Sequence, residues 1–334
     1  MEPAQHCQVQ EWACPVSPGT FSSGGREVAH DAEPWHPGQP SGPGPIPSGL
    51  FVLPQEGTEQ MMDLRVEKDL VFATRRGSDL TLDIYRPSQE DAPVTIYVHG
   101  GGWRSGDKMD DSVRRLTPLS ACGVTVVSVN YGLVPVAKFP DQLHDLKAAV
   151  RWLRGNGRRL GLPTEQIGIW GASAGAYLGS LLALTAGIDR LEGTVGGHFD
   201  QSSAVQAVVH WFGQSDLVAS GSRTEVEARL LPFAFEAGLL GVGQIAEADR
   251  APELSLLSWV SASAPPFLIA HGDRDHIVLA SEGRALHDAL VRAGAQSRFE
   301  LLGGAGHEGA EFDDPASLAL TAAWLRATLA KPVA

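Results

Sequence analysis

From about residue 65 the chain alternates short β-rich apolar runs with longer stretches of helical period, the pattern of a mostly parallel sheet covered on both faces. Leu80 to Tyr85 alternates as an early strand, closed by Pro87. Val94 to His99 and Val124 to Val129 are near-continuous β-branched runs, as expected of strands buried on both faces. A helix near Asp110 to Ala121 supplies the crossover between them. Asp141 to Arg154 places Leu143, Leu146, Ala149, Val150 and Leu153 at helical spacing, and Gly155 to Gly157 is expected to end that helix. Ile167 to Trp170 reads as the next strand and Ala172 to Ala186 as a helix of small residues lying close to the sheet. Val205 to Phe212, Pro266 to Ala270 and Arg298 to Leu302 complete the strands, with helices near Glu282 to Ala293 and Ala316 to Ala330. The predicted class is α/β, a twisted sheet with helices on both faces.

Three stretches break the alternation. Ten of the 22 prolines fall before residue 60 among Gly and Ser, so residues 1–60 read as a flexible arm and 61–334 as the folded domain. Pro40 to Pro47 is read as a spacer, with a polyproline ligand as the alternative. Gly187 to Ser203 is polar and Gly-rich. Residues 214–258 form a longer mixed segment carrying Phe233, Phe235, Leu239 and Leu240, placed where sheet enzymes carry lids. The alternative is that these apolar side chains pack an extra helix onto the core.

Composition narrows the function classes. Lys and Arg number 26 against 39 Asp and Glu, a net charge of −13 that repels a phosphate backbone and argues against nucleic acid. The longest apolar stretch, Tyr177 to Ile188, is too short and too interrupted for a bilayer span. Three cysteines, Cys7, Cys14 and Cys122, form no disulfide framework, and Met1 to Gln10 lacks the layout of a secretory signal, so the cytoplasm is the expected address. His6, Cys7, Cys14, His30 and His36 lack metal-ligand spacing, and no metal or other cofactor is expected.

Chemistry is concentrated at strand ends. Gly171-Ala172-Ser173-Ala174-Gly175 is G-x-S-x-G between a predicted strand and a predicted helix, the context that lifts a serine hydroxyl clear of a sheet at a helix N-terminus. Side-chain-free residues two positions either side let neighbouring elements approach the sharp turn. His99-Gly100-Gly101-Gly102-Trp103 follows another buried strand, and consecutive glycines there suit backbone amides aimed at an oxyanion. The N–H groups of Gly101, Gly102 and Ala174 are the expected donors. A serine needs a base, and the base an acid. His271-Gly272-Asp273-Arg274-Asp275 and Gly303-Gly304-Ala305-Gly306-His307 follow the last two strands, giving the chain order Ser173, acid, His307.

Together HGGGW, GASAGA, HGDRD and GAGHEG resemble the α/β-hydrolase superfamily in its esterase/lipase branch, near the hormone-sensitive-lipase-like and feruloyl-esterase-like carboxylesterases. The resemblance covers about residues 65 to 330. It implies a serine carboxylic-ester hydrolase acting on small to medium acyl esters, with Asp275 as the acid and Asp273 as the rival that caps the turn. It also implies two alternatives, an arylformamidase-like amide hydrolase and a non-catalytic hydrolase-fold binding protein. Departures from the hormone-sensitive-lipase pattern are Ala172, where an acid precedes the nucleophile, and Tyr131 to Val136 in place of its Tyr-x-Leu-Ala-Pro-Glu stretch. Trp103, Trp211, Phe233 and Leu239 are the candidate substrate-binding residues, with Trp103 read either as a pocket floor or as sheet packing. Asp216 is expected to cap or fix its loop, and His99 to orient the glycine turn.

Overall fold

The computed structural model describes residues 64–221, 235–241 and 251–330. The arm 1–60, with its polyproline stretch and its histidine and cysteine candidates, and Phe233 lie outside the described residues. Eight strands form one sheet: β1 (Arg65–Arg75), β2 (Ser78–Arg86), β3 (Val94–Val98), β4 (Thr125–Val129), β5 (Ile167–Ala172), β6 (Ala207–Trp211), β7 (Phe267–Gly272) and β8 (Ser297–Leu302). Their order is β1-β2-β4-β3-β5-β6-β7-β8. β1 pairs antiparallel with β2 and β2 with β4, and every later pairing is parallel.

Helices α1 (Thr117–Ala121), α2 (Asp141–Leu160), α3 (Ala174–Leu184), α4 (Asp189–Glu192), α5 (Leu217–Gly221), α6 (Phe235–Leu240), α7 (Ala280–Arg292) and α8 (Pro315–Thr328) join them, with a π-helical turn at Ser112–Leu116 ahead of α1 and 3-10 turns at Ala251–Leu254, Leu256–Trp259 and Ala310–Phe312. Alternate strand residues serve two cores. Ile96, Val127 and Ile169 face Leu146 of α2, Leu181 of α3 and Leu286 of α7, while Tyr97, Val126 and Trp170 face Leu119 of α1 and Leu325 of α8. The central strands are therefore buried on both sides, as their unbroken apolar runs require. Among the described residues no helix is long and apolar enough to cross a membrane.

Two expectations need correction. α2 does not end at Gly155 to Gly157 but runs to Leu160, closed by Gly161 in the left-handed conformation at φ 64°. The inner glycines are there for space: a Cβ on Gly155 would stand 2.2 Å from His198 Nδ1, and one on Gly157 would stand 2.0 Å from Thr164 Oγ1. The helix predicted from Ala172 starts at Ala174, because Ala172 belongs to β5 and Ser173 has φ 52°. β1 carried no sequence signal of its own. It is an edge strand with mixed burial and two register irregularities against β2, which blur the period of two.

Candidate active site

Parallel pairing in register brings the C-terminal ends of β3, β5, β6, β7 and β8 side by side. Val98 pairs with Gly171, Ala172 with Trp211, Trp211 with Ala270, and Gly272 with Leu302. The turn after β5 holds Ser173 in a sparsely populated conformation, φ 52° and ψ −120°. Its N–H donates to Trp211 O at 2.9 Å. The flanking glycines cannot be replaced without collision: a Cβ on Gly171 would lie 2.3 Å from Gly175 O, and one on Gly175 2.0 Å from Val98 O.

Ser173 Oγ lies 2.9 Å from His307 Nε2, and His307 Nδ1 lies 2.7 Å from Asp275 Oδ2. Asp275 is buried, and its other oxygen accepts the N–H groups of Ile277 and Val278, each at 2.9 Å. Burial alone would raise its pKa. Hydrogen bonds from His271 and His307, the charge of His307 and the Val278 N–H outweigh it, and the carboxyl sits well below the usual carboxylate range. Asp273 instead meets the loop ahead of the histidine: its Oδ1 accepts Gly304 N–H at 2.6 Å and fixes the turn before His307. Phe212, at φ 38°, sets its ring edge-on against the imidazole at 5.0 Å.

The glycine turn is equally built. Gly101 O accepts the N–H groups of Arg104 and Ser105, each at 3.1 Å, and the Ser105 hydroxyl at 3.1 Å. Gly101, Gly102 and Trp103 have φ of 100°, 59° and 60°, so the backbone here is left-handed for three residues. His99 Nδ1 donates to Gly100 O at 2.8 Å, and its ring stacks on Tyr131 at 4.4 Å. Tyr131 OH in turn donates to His99 O at 3.0 Å. Burial lowers the His99 pKa, so the ring serves the turn as a neutral donor. Ala174 is the first residue of α3, and its N–H has no intrahelical acceptor.

Residues 82–290 match the BD-FAE family model. The chain belongs to the BD-FAE family. Esterase LipQ of Mycobacterium tuberculosis is 30% identical over 266 residues, 78% of this chain and 61% of that protein. Esterase LipC of the same organism is 32% identical over 235 residues, 68% of this chain and 56% of that protein. The chain thus spans less than two thirds of the length of these relatives. A truncated carbohydrate esterase from gut microbiota superposes with a TM-score of 0.73 at 27% identity, covering 80% of this chain and 97% of that one. The fold of this BD-FAE chain is that of the α/β-hydrolase esterases.

Three of the four expected substrate-binding residues are sealed into the BD-FAE core. Trp103 is fully buried, donates its indole N–H to Ala174 O at 3.2 Å and meets Tyr177 edge-on. Trp211 is buried against Trp170 and Phe312, and Leu239 is buried with no exposed surface. Trp103 fills the space beneath the glycine turn, and all three side chains, being buried, expose no surface on which a ligand could rest. Asp216 caps α5 through Val218 and Ala219 N–H at 2.9 and 3.1 Å, and Glu282 holds the same loop by accepting Ser215 and Asp216 N–H. His271 has no partner evident from the sequence. It lies four residues before Asp275, with Nε2 3.4 Å from Asp275 Oδ2 and 2.9 Å from Val278 O. The H-G-x-x-D spacing was visible, but the turn that folds one end onto the other was not.

Proposed function

We propose that this chain is a serine carboxylic-ester hydrolase that works through an acyl-enzyme on small to medium acyl esters. The observation that carries the reading is the continuous chain from Ser173 Oγ through His307 to Asp275, at 2.9 and 2.7 Å, beside a left-handed glycine turn. His307 Nε2 takes the proton as Ser173 Oγ attacks the acyl carbon, and Asp275 steadies the imidazolium that forms. The N–H groups of Gly101, Gly102 and Ala174 receive the oxyanion. Collapse expels the alcohol, which takes the proton from His307. Water, deprotonated by the same nitrogen, then releases the acid and restores the serine. Esterase relatives at about 30% identity support the ester as the bond cleaved.

A panel of p-nitrophenyl esters from acetate to palmitate, run with Ser173→Ala and a fluorophosphonate probe, tests the reading. Expected are hydrolysis that falls with acyl length, labelling of Ser173, and loss of both in the variant. Near-wild-type hydrolysis by Ser173→Ala rejects the nucleophile. Hydrolysis of N-formyl aromatic amides without ester hydrolysis rejects the ester class, and tight ligand binding without labelling rejects an enzyme.

A further inference from the structure

We propose that Arg115 is a positioning residue for His307: its buried guanidinium ties the histidine loop, 306–313, to the segment that carries the glycine turn. The proposal rests on the serine-hydrolase reading above. Arg115 belongs to the π-helical turn at Ser112–Leu116 and has no exposed surface. Its Nε donates to Asp313 Oδ1 at 2.5 Å. Its Nη1 lies 3.3 Å from Tyr97 OH, 3.4 Å from Asp111 Oδ2 and 4.0 Å from Glu308 Oε1. Tyr97 OH also donates to Asp111. One cation therefore meets β3, the loop after the glycine turn, and both sides of the segment that starts at His307.

The guanidinium also supports the imidazole through a ring. It lies over Trp211 at 5.6 Å and over Phe212 at 5.7 Å, and Phe212 meets His307 edge-on at 5.0 Å. Glu308, directly after His307, has φ 55° and carries its Oε1 to 3.5 Å from where a Cβ on Gly100 would stand. Arg114 flanks the same carboxylates, 3.9 Å from Glu308, 3.6 Å from Asp313 and 2.5 Å from Asp111. The cluster thus holds two cations against three carboxylates. Arg115 Nη2 is buried without a partner among the described residues. A buried ion pair adds little net stability, and an orphaned guanidinium nitrogen subtracts from it, so placement of the histidine loop is what this arrangement secures.

Removing the guanidinium leaves Asp111, Asp313 and Glu308 facing half-exposed Arg114 alone, and their repulsion pushes the histidine loop outward. Besides these groups, Asp275 faces His307 from the β7 turn, with His271 against the same carboxylate. Three variants of the full chain test the proposal: Arg115→Met, Arg115→Lys and Asp313→Asn. In folded Arg115→Met, kcat and the rate of fluorophosphonate labelling fall roughly 10- to 100-fold, the scale of a misplaced catalytic group, while KM changes little. Arg115→Lys recovers part of the loss, which a side chain needed only to fill space would not do. Asp313→Asn lowers kcat as well, with KM again little changed. Wild-type kcat in folded Arg115→Met overturns the proposal. If that variant fails to fold, Asp313→Asn with unchanged kcat overturns it. A wild-type chain that neither hydrolyses esters nor takes the label overturns the serine-hydrolase reading itself, and this proposal with it.

Discussion

Asp275 and Asp273 are two residues apart and chemically identical, and their surroundings give them different work. Asp275 meets His307, His271 and two backbone N–H groups, whereas Asp273 meets the Gly304 N–H. Asp275→Asn should lower kcat by about 10⁴-fold, because an amide no longer fixes the tautomer or stabilises the imidazolium. Asp273→Asn keeps an acceptor for Gly304 and should leave kcat within about 3-fold, so steady-state kinetics of the pair separates the roles. Because the Asp275 pKa is depressed by folding, its contribution to stability is present above about pH 4 and lost as pH falls through the folded value. The melting-temperature gap between wild type and Asp275→Asn should therefore narrow below pH 4. His210 gives a second pH signature. Burial lowers it to about 4, with the Gly213 carbonyl accepting from Nε2 at 3.0 Å and Ser180 Oγ at 2.8 Å from Nδ1. Its neutral form stabilises the fold above about pH 6.5, and that contribution, roughly 3 kcal/mol, is lost as pH falls towards 4. Urea unfolding at pH 7 and pH 5 should show the loss in wild type and a smaller one in His210→Gln.

Elements were legible wherever period and punctuation agreed, and the end of α2 was misread because its glycines serve packing. The runs Val94 to His99 and Val124 to Val129 announced the buried strands β3 and β4 because both faces are covered. G-x-S-x-G and H-G-G-G-W announced their turns because backbone left-handedness and close approach demand glycine there. Ser173 and His307 could be paired in advance from chain order, but which Asp faced them rested on how the turn after β7 folds. Gly155 and Gly157 misled because a helix tolerates glycine when a neighbour needs the space, and one-dimensional punctuation does not distinguish that from a stop. The difference has opposite signs on substitution. If Gly157 merely weakened α2, alanine would stabilise the protein by about 1 kcal/mol through helix propensity. With Thr164 Oγ1 2.0 Å from the new Cβ, Gly157→Ala should instead destabilise by about 1–3 kcal/mol. Combining it with Thr164→Ala should remove most of that cost. Chemical denaturation of the two single variants and the double variant checks both signs.

Across the whole molecule, the register of five parallel strands gathers residues more than a hundred positions apart, and α6 meets both the glycine turn and the chain just ahead of α2. There Leu239 O accepts Phe139 N–H at 2.9 Å, and Gly241 packs against Lys138. At the other end of α6, the Phe235 ring rests on Gly102, where an added Cβ would stand 2.6 Å from Cδ1. α6 thus closes on the glycine turn that is proposed to hold the oxyanion, so Phe235 bounds the space beside it. Trp103 and Leu239, expected to bind substrate, are buried in packing. Phe235→Ala should uncover the turn without disturbing the triad, because the ring lies outside the Ser173–His307–Asp275 chain. The expected result is a p-nitrophenyl ester optimum shifted to longer acyl groups, with fluorophosphonate labelling of Ser173 retained. Gly102→Ala acts on the same contact from the other side. It forces the ring away and places a side chain at φ 59°, where left-handed backbone costs roughly 1–2 kcal/mol. It should lower kcat at every chain length, since it disturbs the proposed oxyanion donors as well as the ring beside them. An unchanged chain-length profile in Phe235→Ala would remove α6 from the specificity surface and leave it a packing element.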